Sequence, residues 1–307
     1  MNEPAIEMQA VYKSFRSTEV LRGLTLQVPR GRTFAFLGRN AAGKTTTIRL
    51  LLGLLKRDDG AIRILGLDPQ REPMELRRRI GYLAEDQRMY GWMRVEEIVR
   101  FVAPFYPTWD HGLALKFLRD FELPLRTRVK HLSKGQNVRL GLVLALAHRP
   151  EVVILDDPAL GLDPIMRKQF NRDLITHLQG EGCTMFYSSH LLYEVEPVAD
   201  EVAILDQGRI VRQDETEALR RDVKQVILSY EEFAAIRGRL KILDERTDGD
   251  RIAVVIERAQ QSLELLGREG ACHRVVDLNL DEIFEAYVAG RRLDAPASAT
   301  AELQPLM

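Results

Sequence analysis

Residues 38–46, GRNAAGKTT, combine glycines, a lysine and hydroxyl side chains in a pattern that can bind phosphate. The spacing G-x4-G-K-T, from Gly38 to Thr45, is that of a phosphate-binding loop. In such a loop the backbone N–H groups surround the phosphates, and the following helix presents its positive end to them. The lysine reaches the terminal phosphates, and the hydroxyl group binds Mg²⁺. The sequence therefore predicts a nucleotide site formed by Gly38, Arg39, Asn40, Ala41, Ala42, Gly43, Lys44, Thr45 and Thr46.

Two adjacent acids, Asp156 and Asp157, follow the apolar run VVIL at 152–155. Neighbouring residues on a strand point to opposite faces, so the two carboxylates cannot serve the same purpose. A carboxylate at the end of a buried strand, in a chain that also carries a phosphate loop, is placed to hold Mg²⁺ directly or through water. We therefore predict that Thr45 and Asp156 are metal ligands and that Asp157 has a different function.

The elements that position these residues are short apolar strands alternating with helical patterns, which predict a sheet flanked by helices. TFAFL at 33–37 predicts a strand leading directly into the phosphate loop, and the leucine-rich run 46–55 predicts the helix after it. The runs at 152–155 and 184–187 predict further buried strands. Between 95 and about 128 the pattern is helical but interrupted by prolines, as expected for a helical subdomain.

A second block follows Asp214, in which the patterns predict the order β-α-β-β-α-β, a ferredoxin-like arrangement. An amphipathic turn, DEIFEAYVAG at 281–290, comes after it. The tail at 291–307 is rich in small and polar residues, and we expect it to be disordered. The sequence thus predicts a larger domain at 1–215 and a small α+β domain at 216–290.

Three segments in a fixed order resemble the ATP-binding cassette ATPases, the nucleotide-binding subunits of ABC transporters. They are HLSKGQ ending at Gln136, VVILDDPALGLDP ending at Pro164, and MFYSSH ending at His190. The resemblance covers about residues 5–215, and it is closest to the exporter-like branch. It implies an α/β fold of the P-loop NTPase type, with a mixed sheet, flanking helices and a helical subdomain at about 88–148. It also implies ATP as substrate, Mg²⁺ as cofactor and hydrolysis to ADP and phosphate.

The resemblance implies roles for residues beyond the phosphate loop. Phe15 lies where an aromatic ring stacks on adenine, and base stacking of this kind is worth ~1–3 kcal/mol. Asp157 lies where the family places its general base, and Lys44 and His190 lie where the family contacts the terminal phosphate. Glu85 lies at a position that senses Mg²⁺ and the membrane partner in the family. The family's signature segment, which binds the γ-phosphate of the opposite subunit, corresponds to Ser133, Lys134, Gly135 and Gln136. Asp163 matches an acid that communicates across the dimer.

Four positions depart from the family pattern. Asp157 replaces the usual glutamate, and it is one methylene shorter, about 1.5 Å of reach, so we expect slow hydrolysis. Glu85 replaces the usual glutamine and adds a charged oxygen near Mg²⁺, so we include it among the metal ligands. Lys134 and Ala41 replace glycines, and Ala41 narrows the backbone freedom of the phosphate loop slightly.

The composition limits the classes of partner. The 44 Lys and Arg balance 45 Asp and Glu, so we expect no nucleic acid. The two cysteines, Cys183 and Cys272, lack metal-site spacing. The longest strongly apolar stretch, 140–147, is far shorter than the roughly 20 residues that span a bilayer. We therefore expect that this chain does not cross a membrane by itself, and the resemblance implies a cytoplasmic protein held at the inner face of the cell membrane by a partner.

One cassette carries half of each composite site, so the resemblance implies a homodimer or a heterodimer with a second ATPase subunit. It also implies a polytopic membrane subunit, which we expect to dock on the segment Val95–Arg128. The aromatic residues there and nearby could form that contact or belong to the core: Trp92, Phe101, Phe105, Tyr106 and Trp109. Two alternatives remain open: a soluble ATPase of this type acting on ribosomes or DNA, and a slowly hydrolysing regulatory half of a heterodimer.

Overall fold

The computed structural model describes residues 3–178, 182–190, 192–268 and 273–290, which divide into two units between Thr216 and Glu217. The predicted tail at 291–307 and Cys272 lie outside the described residues. Among the helices that are described, none has both the length and the apolar character needed to cross a bilayer. The two units are described separately below.

The first unit contains nine strands and seven helices within the described residues. The strands are β1 (Ile6–Phe15), β2 (Thr18–Val28), β3 (Thr33–Gly38), β4 (Asp59–Ile64), β5 (Ile80–Leu83), β6 (Val152–Asp156), β7 (Thr184–Ser189), β8 (Glu201–Asp206) and β9 (Arg209–Glu215). The helices are α1 (Lys44–Leu51), α2 (Pro73–Arg79), α3 (Val95–Val102), α4 (His111–Asp120), α5 (Lys134–Leu146), α6 (Pro164–Leu178) and α7 (Leu192–Val195).

A six-stranded sheet in the order β5-β6-β7-β3-β8-β9 is the centre of this unit. All neighbours are parallel except β8 and β9, which form an antiparallel hairpin through Gln207 and Gly208. Every residue of β3, β6 and β7 is buried, as expected for parallel strands covered by helices on both faces. Because β6, β7 and β3 are adjacent and parallel, the residues that follow them meet at one edge of the sheet.

A separate three-stranded antiparallel sheet, in the order β2-β1-β4, packs beside the first. Its apolar residues, such as Met8 and Leu24, share one buried cluster with Phe34, Ile48 and Ile154 of the six-stranded sheet and α1. The mixed α/β fold expected from the sequence is therefore confirmed, with its strands distributed over two sheets.

The stretch from residue 88 to 148 contains α3, α4 and α5, with 3-10 turns at Ala103–Phe105 and Val129–His131. Pro104 lies in the first turn, and Pro107 and Pro124 lie between helices. The prolines therefore interrupt the helical pattern where the sequence indicated, because proline lacks the N–H that a helix interior requires.

The second unit begins within α8 (Thr216–Asp222) and contains one four-stranded sheet. Its other elements are β10 (Lys224–Ser229), α9 (Tyr230–Ile236), β11 (Ile242–Asp248), β12 (Arg251–Ile256), α10 (Ala259–Arg268), β13 (Arg274–Asp277) and α11 (Leu280–Val288). The sheet has the order β11-β12-β10-β13 and is antiparallel throughout. From β10 to β13 the elements follow the expected order, around a core that includes Val226, Phe233 and Ile256.

Candidate functional site

One cavity of about 550 Å³ lies where the strands β3, β6 and β7 end. It brings together residues that are far apart in sequence: Phe15, Val20, Asn40, Ala41, Gly43, Lys44, Thr45, Thr46, Glu85, Asp157, Leu160 and His190. Most of the residues predicted for the nucleotide site are in this lining. Val20 and Leu160 are additions that the sequence did not indicate, because they carry no polar group.

The phosphate loop has the backbone geometry that a close approach of phosphate requires. Gly43 has φ of 115°, and a Cβ there would lie 2.8 Å from the Cδ2 atom of Leu21, so only glycine fits. Ala41 has φ of 64°, a left-handed conformation that costs a side-chain-bearing residue on the order of 1–2 kcal/mol. Helix α1 begins at Lys44, and the first N–H groups of a helix have no partner within it. These groups are available to an anion.

Lys44 is almost completely buried at the mouth of this loop. Its ammonium donates to the carbonyl oxygen of Gly38 at 2.8 Å and lies 4.0 Å from Oδ2 of Asp157. Burial lowers the pKa of Lys44, whereas the carboxylates of Asp157, Asp156 and Glu85 act to raise it. The neighbouring acids therefore help to keep a buried cation charged beside the cavity.

Asp156 is the residue that best fits a metal ion. The residue is 3% exposed, and its Oδ1 atom has no hydrogen-bond partner among the described residues. Burial, then the charges of Asp157 and Glu85, raise the pKa of Asp156 to about 6. A buried carboxylate without a partner is costly, and a bound cation would supply the missing charge.

The donor set around Asp156 suits Mg²⁺, which prefers oxygen ligands and keeps several from water and substrate phosphates. Thr45 and Glu85, the other predicted ligands, line the cavity with a hydroxyl and a carboxylate. Within the described part of the chain, no three His, Cys, Asp or Glu residues group into a metal site.

Asp157 and His190 are hydrogen-bonded to each other. Oδ1 of Asp157 accepts the backbone N–H of His190 at 3.1 Å and lies 2.8 Å from its ring Nδ1. The backbone of Asp157 has φ of 42°, and its N–H donates to the carbonyl of Ser188 at 3.0 Å. An ionised carboxylate only accepts, so this pair needs the proton on Nδ1. The neutral ring then presents an acceptor at Nε2, and His190 needs a second proton to donate to a phosphate.

Phe15 stands at the end of β1, and its ring is 45% exposed although it lines the cavity. The ammonium of Lys13 lies 5.5 Å from the ring centre. An apolar ring with free surface beside a phosphate loop can stack on a base.

The predicted signature segment forms the start of α5 and does not line this cavity. Ser133 caps the helix by accepting the N–H of Gln136 at 3.2 Å, while the side chain of Gln136 accepts the N–H of Ser133. Asp163 caps α6 in the same way, accepting the N–H groups of Ile165 and Met166 at 2.9 Å. Within one chain these residues therefore stabilise helix termini, and their roles across a dimer stay predictions.

A second, mostly apolar cavity of about 370 Å³ lies between α1, α2, β5, α3 and α5. Leu52, Leu54, Leu76, Tyr82 and Tyr106 are among its lining residues. Outside this cavity, a row of exposed aromatic rings with centres 5.6–6.0 Å apart runs through Trp92, Tyr90, Phe101 and Phe105.

The aromatic residues considered in the sequence divide into two groups. Trp92, Phe101 and Phe105 are exposed. Tyr106 stacks on His148 with ring centres 4.0 Å apart, and Trp109 lies beside it. Tyr90 was not expected in this group, although its spacing from Trp92 would have been a signal.

Comparison with known proteins places these features in one family. A family model described as ABC transporter matches residues 21–160. The bacitracin transport ATP-binding protein BcrA of Bacillus licheniformis is 36% identical over 203 residues, 66% of each chain. The ABC transporter ATP-binding protein YhcH of Bacillus subtilis is 31% identical over 274 residues, 85% of this chain and 87% of its own. The solved structure of an ATP binding subunit of an ABC transporter is 30% identical with a TM-score of 0.63, covering 71% of this chain and 92% of its own.

Proposed function

Because this chain belongs to the ATP-binding proteins of ABC transporters, it is an ATPase, and we propose that it pairs with a second ATPase subunit on ATP and drives a membrane-spanning partner in export. The observation that carries the proposal is the single cavity in which the phosphate loop, Glu85, Asp157, His190 and Phe15 meet. This cavity offers suitable contacts for the phosphate groups, for a metal ion and for the adenine of ATP.

Different residues of the site bind different parts of ATP. Phe15 supplies a face for the adenine, and the N–H groups at the start of α1 receive the phosphates. Lys44 neutralises charge on the terminal phosphates from a buried position. Asp156, Thr45 and Glu85 would hold Mg²⁺, which neutralises phosphate charge when bound.

Hydrolysis transfers the terminal phosphoryl group to water, and catalysis of this step is mostly positioning and charge stabilisation. The water oxygen attacks the γ-phosphorus, and the bond to the ADP oxygen breaks. Asp157 orients the water and takes its proton, while His190 fixes the carboxylate through two contacts to Oδ1. Because aspartate is short, and because one oxygen is already engaged by His190, we propose a low rate.

The signature residues support a dimer. Ser133, Lys134, Gly135 and Gln136 begin a helix in this chain but are absent from the lining of its own cavity. A helix start is a favourable place for an anion. We propose that these residues reach the γ-phosphate held by the opposite subunit. We also propose that Asp163 communicates between the two subunits when the dimer closes.

The apolar cavity near β5 and the row of exposed aromatic rings support a membrane partner. Exposed apolar groups that lie close together mark interaction surfaces. We propose that a membrane-spanning subunit docks an apolar segment here and thereby holds this chain at the inner face of the membrane. Relatives named for bacitracin transport make that antibiotic the first substrate to test.

A slowly hydrolysing half of a heterodimer is the second candidate, and the Asp157–His190 contact favours it. Phosphate release by the isolated chain distinguishes the two. A chain that binds MgATP and releases phosphate measurably is the active subunit. One that binds MgATP but releases phosphate only when a second ATPase subunit is present is the regulatory half.

Binding itself is tested with Lys44→Ala. We expect this variant to lose tight MgATP binding, because it removes the one lysine in the described lining of the cavity, a buried cation at the phosphate loop. Equilibrium binding of a fluorescent ATP analogue measures the change, and unfolding by heat confirms the fold. Unchanged affinity would exclude this loop as the site.

The partner is tested by purifying the tagged full chain from membranes and identifying the polytopic protein that accompanies it. Trp92→Ala with Phe105→Ala should reduce its recovery, whereas Tyr230→Ala is the matched control, since Tyr230 is an exposed aromatic of the second unit. Equal recovery with all variants would exclude the aromatic row as the docking surface.

A further inference from the structure

Asp58, which lies between α1 and β4, contacts the three residues that precede Phe15. Its N–H donates to the carbonyl of Tyr12 at 3.0 Å. Its Oδ1 accepts the ammonium of Lys13 at 2.6 Å, and its Oδ2 accepts the N–H of Ser14 at 2.6 Å. The hydrogen bond from Lys13 holds the pKa of Asp58 below its usual value. One side chain thus fixes the end of the strand that carries the cavity aromatic.

Lys13 extends this contact to the ring. Its side chain is 12% exposed, and its ammonium lies 5.5 Å from the centre of the Phe15 ring while it is bonded to Asp58. A cation at such a distance from an aromatic ring is attracted to it. The ring is therefore restrained by Lys13 and leaves 45% of its surface exposed.

The end of β1 needs such a restraint. Phe15 is the last residue of the strand and pairs with Thr18 across a tight hairpin. Arg16 in that hairpin has φ of 55°, a left-handed conformation that non-glycine residues adopt at a cost. Exposed strand ends are among the parts of a protein that open most easily. Without a contact from another segment, Phe15 would sample positions away from the cavity.

We propose that Asp58 and Lys13 are positioning residues for the nucleotide base, holding Phe15 at the cavity wall before a nucleotide arrives. The inference rests on the proposed function, because it assigns the role of Phe15 in that site. Ordering one side chain on binding costs about 2- to 12-fold in affinity. Loss of the restraint should therefore weaken base binding by about 3- to 10-fold and leave phosphate binding unchanged.

Two ligands that are not hydrolysed separate these effects. MgADP carries the base and two phosphates, and magnesium pyrophosphate carries the phosphates alone. For Asp58→Ala in the full chain, we expect the dissociation constant of MgADP, measured by calorimetry, to rise about 3- to 10-fold. The constant for pyrophosphate should stay within about twofold. The affinity for MgGDP should fall as the affinity for MgADP does, because stacking contacts the face of a base and not its hydrogen-bonding edge.

A matched control is Asp277→Ala, which removes the acid from another Lys–Asp pair of 2.6 Å, with Lys224 in the second unit. It should change neither constant. Lys13→Met keeps the aliphatic stem and should reproduce part of the loss. In a Phe15→Ala background, Asp58→Ala should have no further effect on MgADP, because the group that it positions is gone.

The outcomes are distinct. Equal weakening of MgADP and pyrophosphate would show that Asp58 supports the fold or the phosphate loop, and would overturn the inference. Unchanged dissociation constants for both MgADP and pyrophosphate in Asp58→Ala would overturn it while leaving the nucleotide site intact. A wild-type chain that binds neither ligand would overturn the proposed function itself.

Discussion

The substitution Asp157→Asn tests the assignment of the base most directly. Asparagine keeps the size of the side chain and an oxygen that can accept the backbone N–H of His190, which Asp157 accepts at 3.1 Å. It removes the negative charge, which lies 4.0 Å from the ammonium of Lys44, and the ability to take a proton. The change therefore isolates the chemistry of the carboxylate from its geometry.

The expected loss of hydrolysis rate in Asp157→Asn follows from the length of the side chain. A general base contributes about 10²- to 10⁴-fold to a rate. A misplacement of about 1 Å costs on the order of 100-fold, and aspartate falls about 1.5 Å short of a glutamate. A base in the upper part of that range, reduced about 100-fold by its short reach, still contributes about 10- to 100-fold, and we expect Asp157→Asn to slow phosphate release by this factor.

Asp157→Glu is the matched variant in the other direction. Its carboxylate extends about 1.5 Å further, and the cavity of about 550 Å³ can receive it. We expect a rate equal to wild type or higher. Phosphate release at saturating MgATP measures both variants, with MgATP affinity measured separately. Asp59→Asn, an exposed acid outside the lining, is the control. Release by Asp157→Asn at the wild-type rate would refute the reasoning.

Three further predictions concern stability and organisation. Gly81→Ala in β5 should destabilise the chain by about 1–3 kcal/mol, because the new Cβ overlaps the carbonyl oxygen of Ala145; a denaturant midpoint equal to wild type would contradict this. A chain ending at Arg220 should bind MgATP with unchanged affinity, since the described residues that line the cavity belong to the first unit; an insoluble or non-binding product would refute it. Asp68 accepts two hydrogen bonds from Arg57, which lower the pKa of Asp68, so its stabilising effect is present at neutral pH and is lost as pH falls through that lowered value. The difference in unfolding free energy between wild type and Asp68→Asn should therefore be constant from pH 7 to about 5 and narrow below about 4; a difference that does not change with pH would show that the charge is not responsible.

The parts of the site that could be predicted from the sequence depend on local patterns. The apolar runs at β3 and β6 are long enough to indicate buried strands, and polar residues directly after them lie at the same sheet edge. The phosphate loop is likewise contained in one short segment. For these reasons the phosphate loop with Lys44 and the acids that follow β6 can be identified from local sequence, whereas the role of Asp157 as the base is what the family resemblance implies.

The remaining features depend on pairings that a single sequence does not show. The separation of β2, β1 and β4 into their own sheet follows from antiparallel registers, and the polar, exposed positions of β2 weaken its strand pattern. Asp58 contacts Lys13 only because β4 lies beside β1, with residues 45 positions apart in sequence. Asp157 and His190 were both predicted, but their mutual contact depends on β6 and β7 being neighbours.

The cavity of about 550 Å³ and the apolar cavity beside β5 share two elements of the first unit. Helix α1 starts at the phosphate loop, and Leu52 and Leu54 directly after it line the apolar cavity. Strand β5 carries Tyr82 in the apolar cavity, and Glu85 just beyond its end lines the other. An eight-residue helix is a stiff rod of about 12 Å. Because a short helix and a strand bend little, we expect a displacement at the apolar cavity to be passed on to the wall of the other cavity.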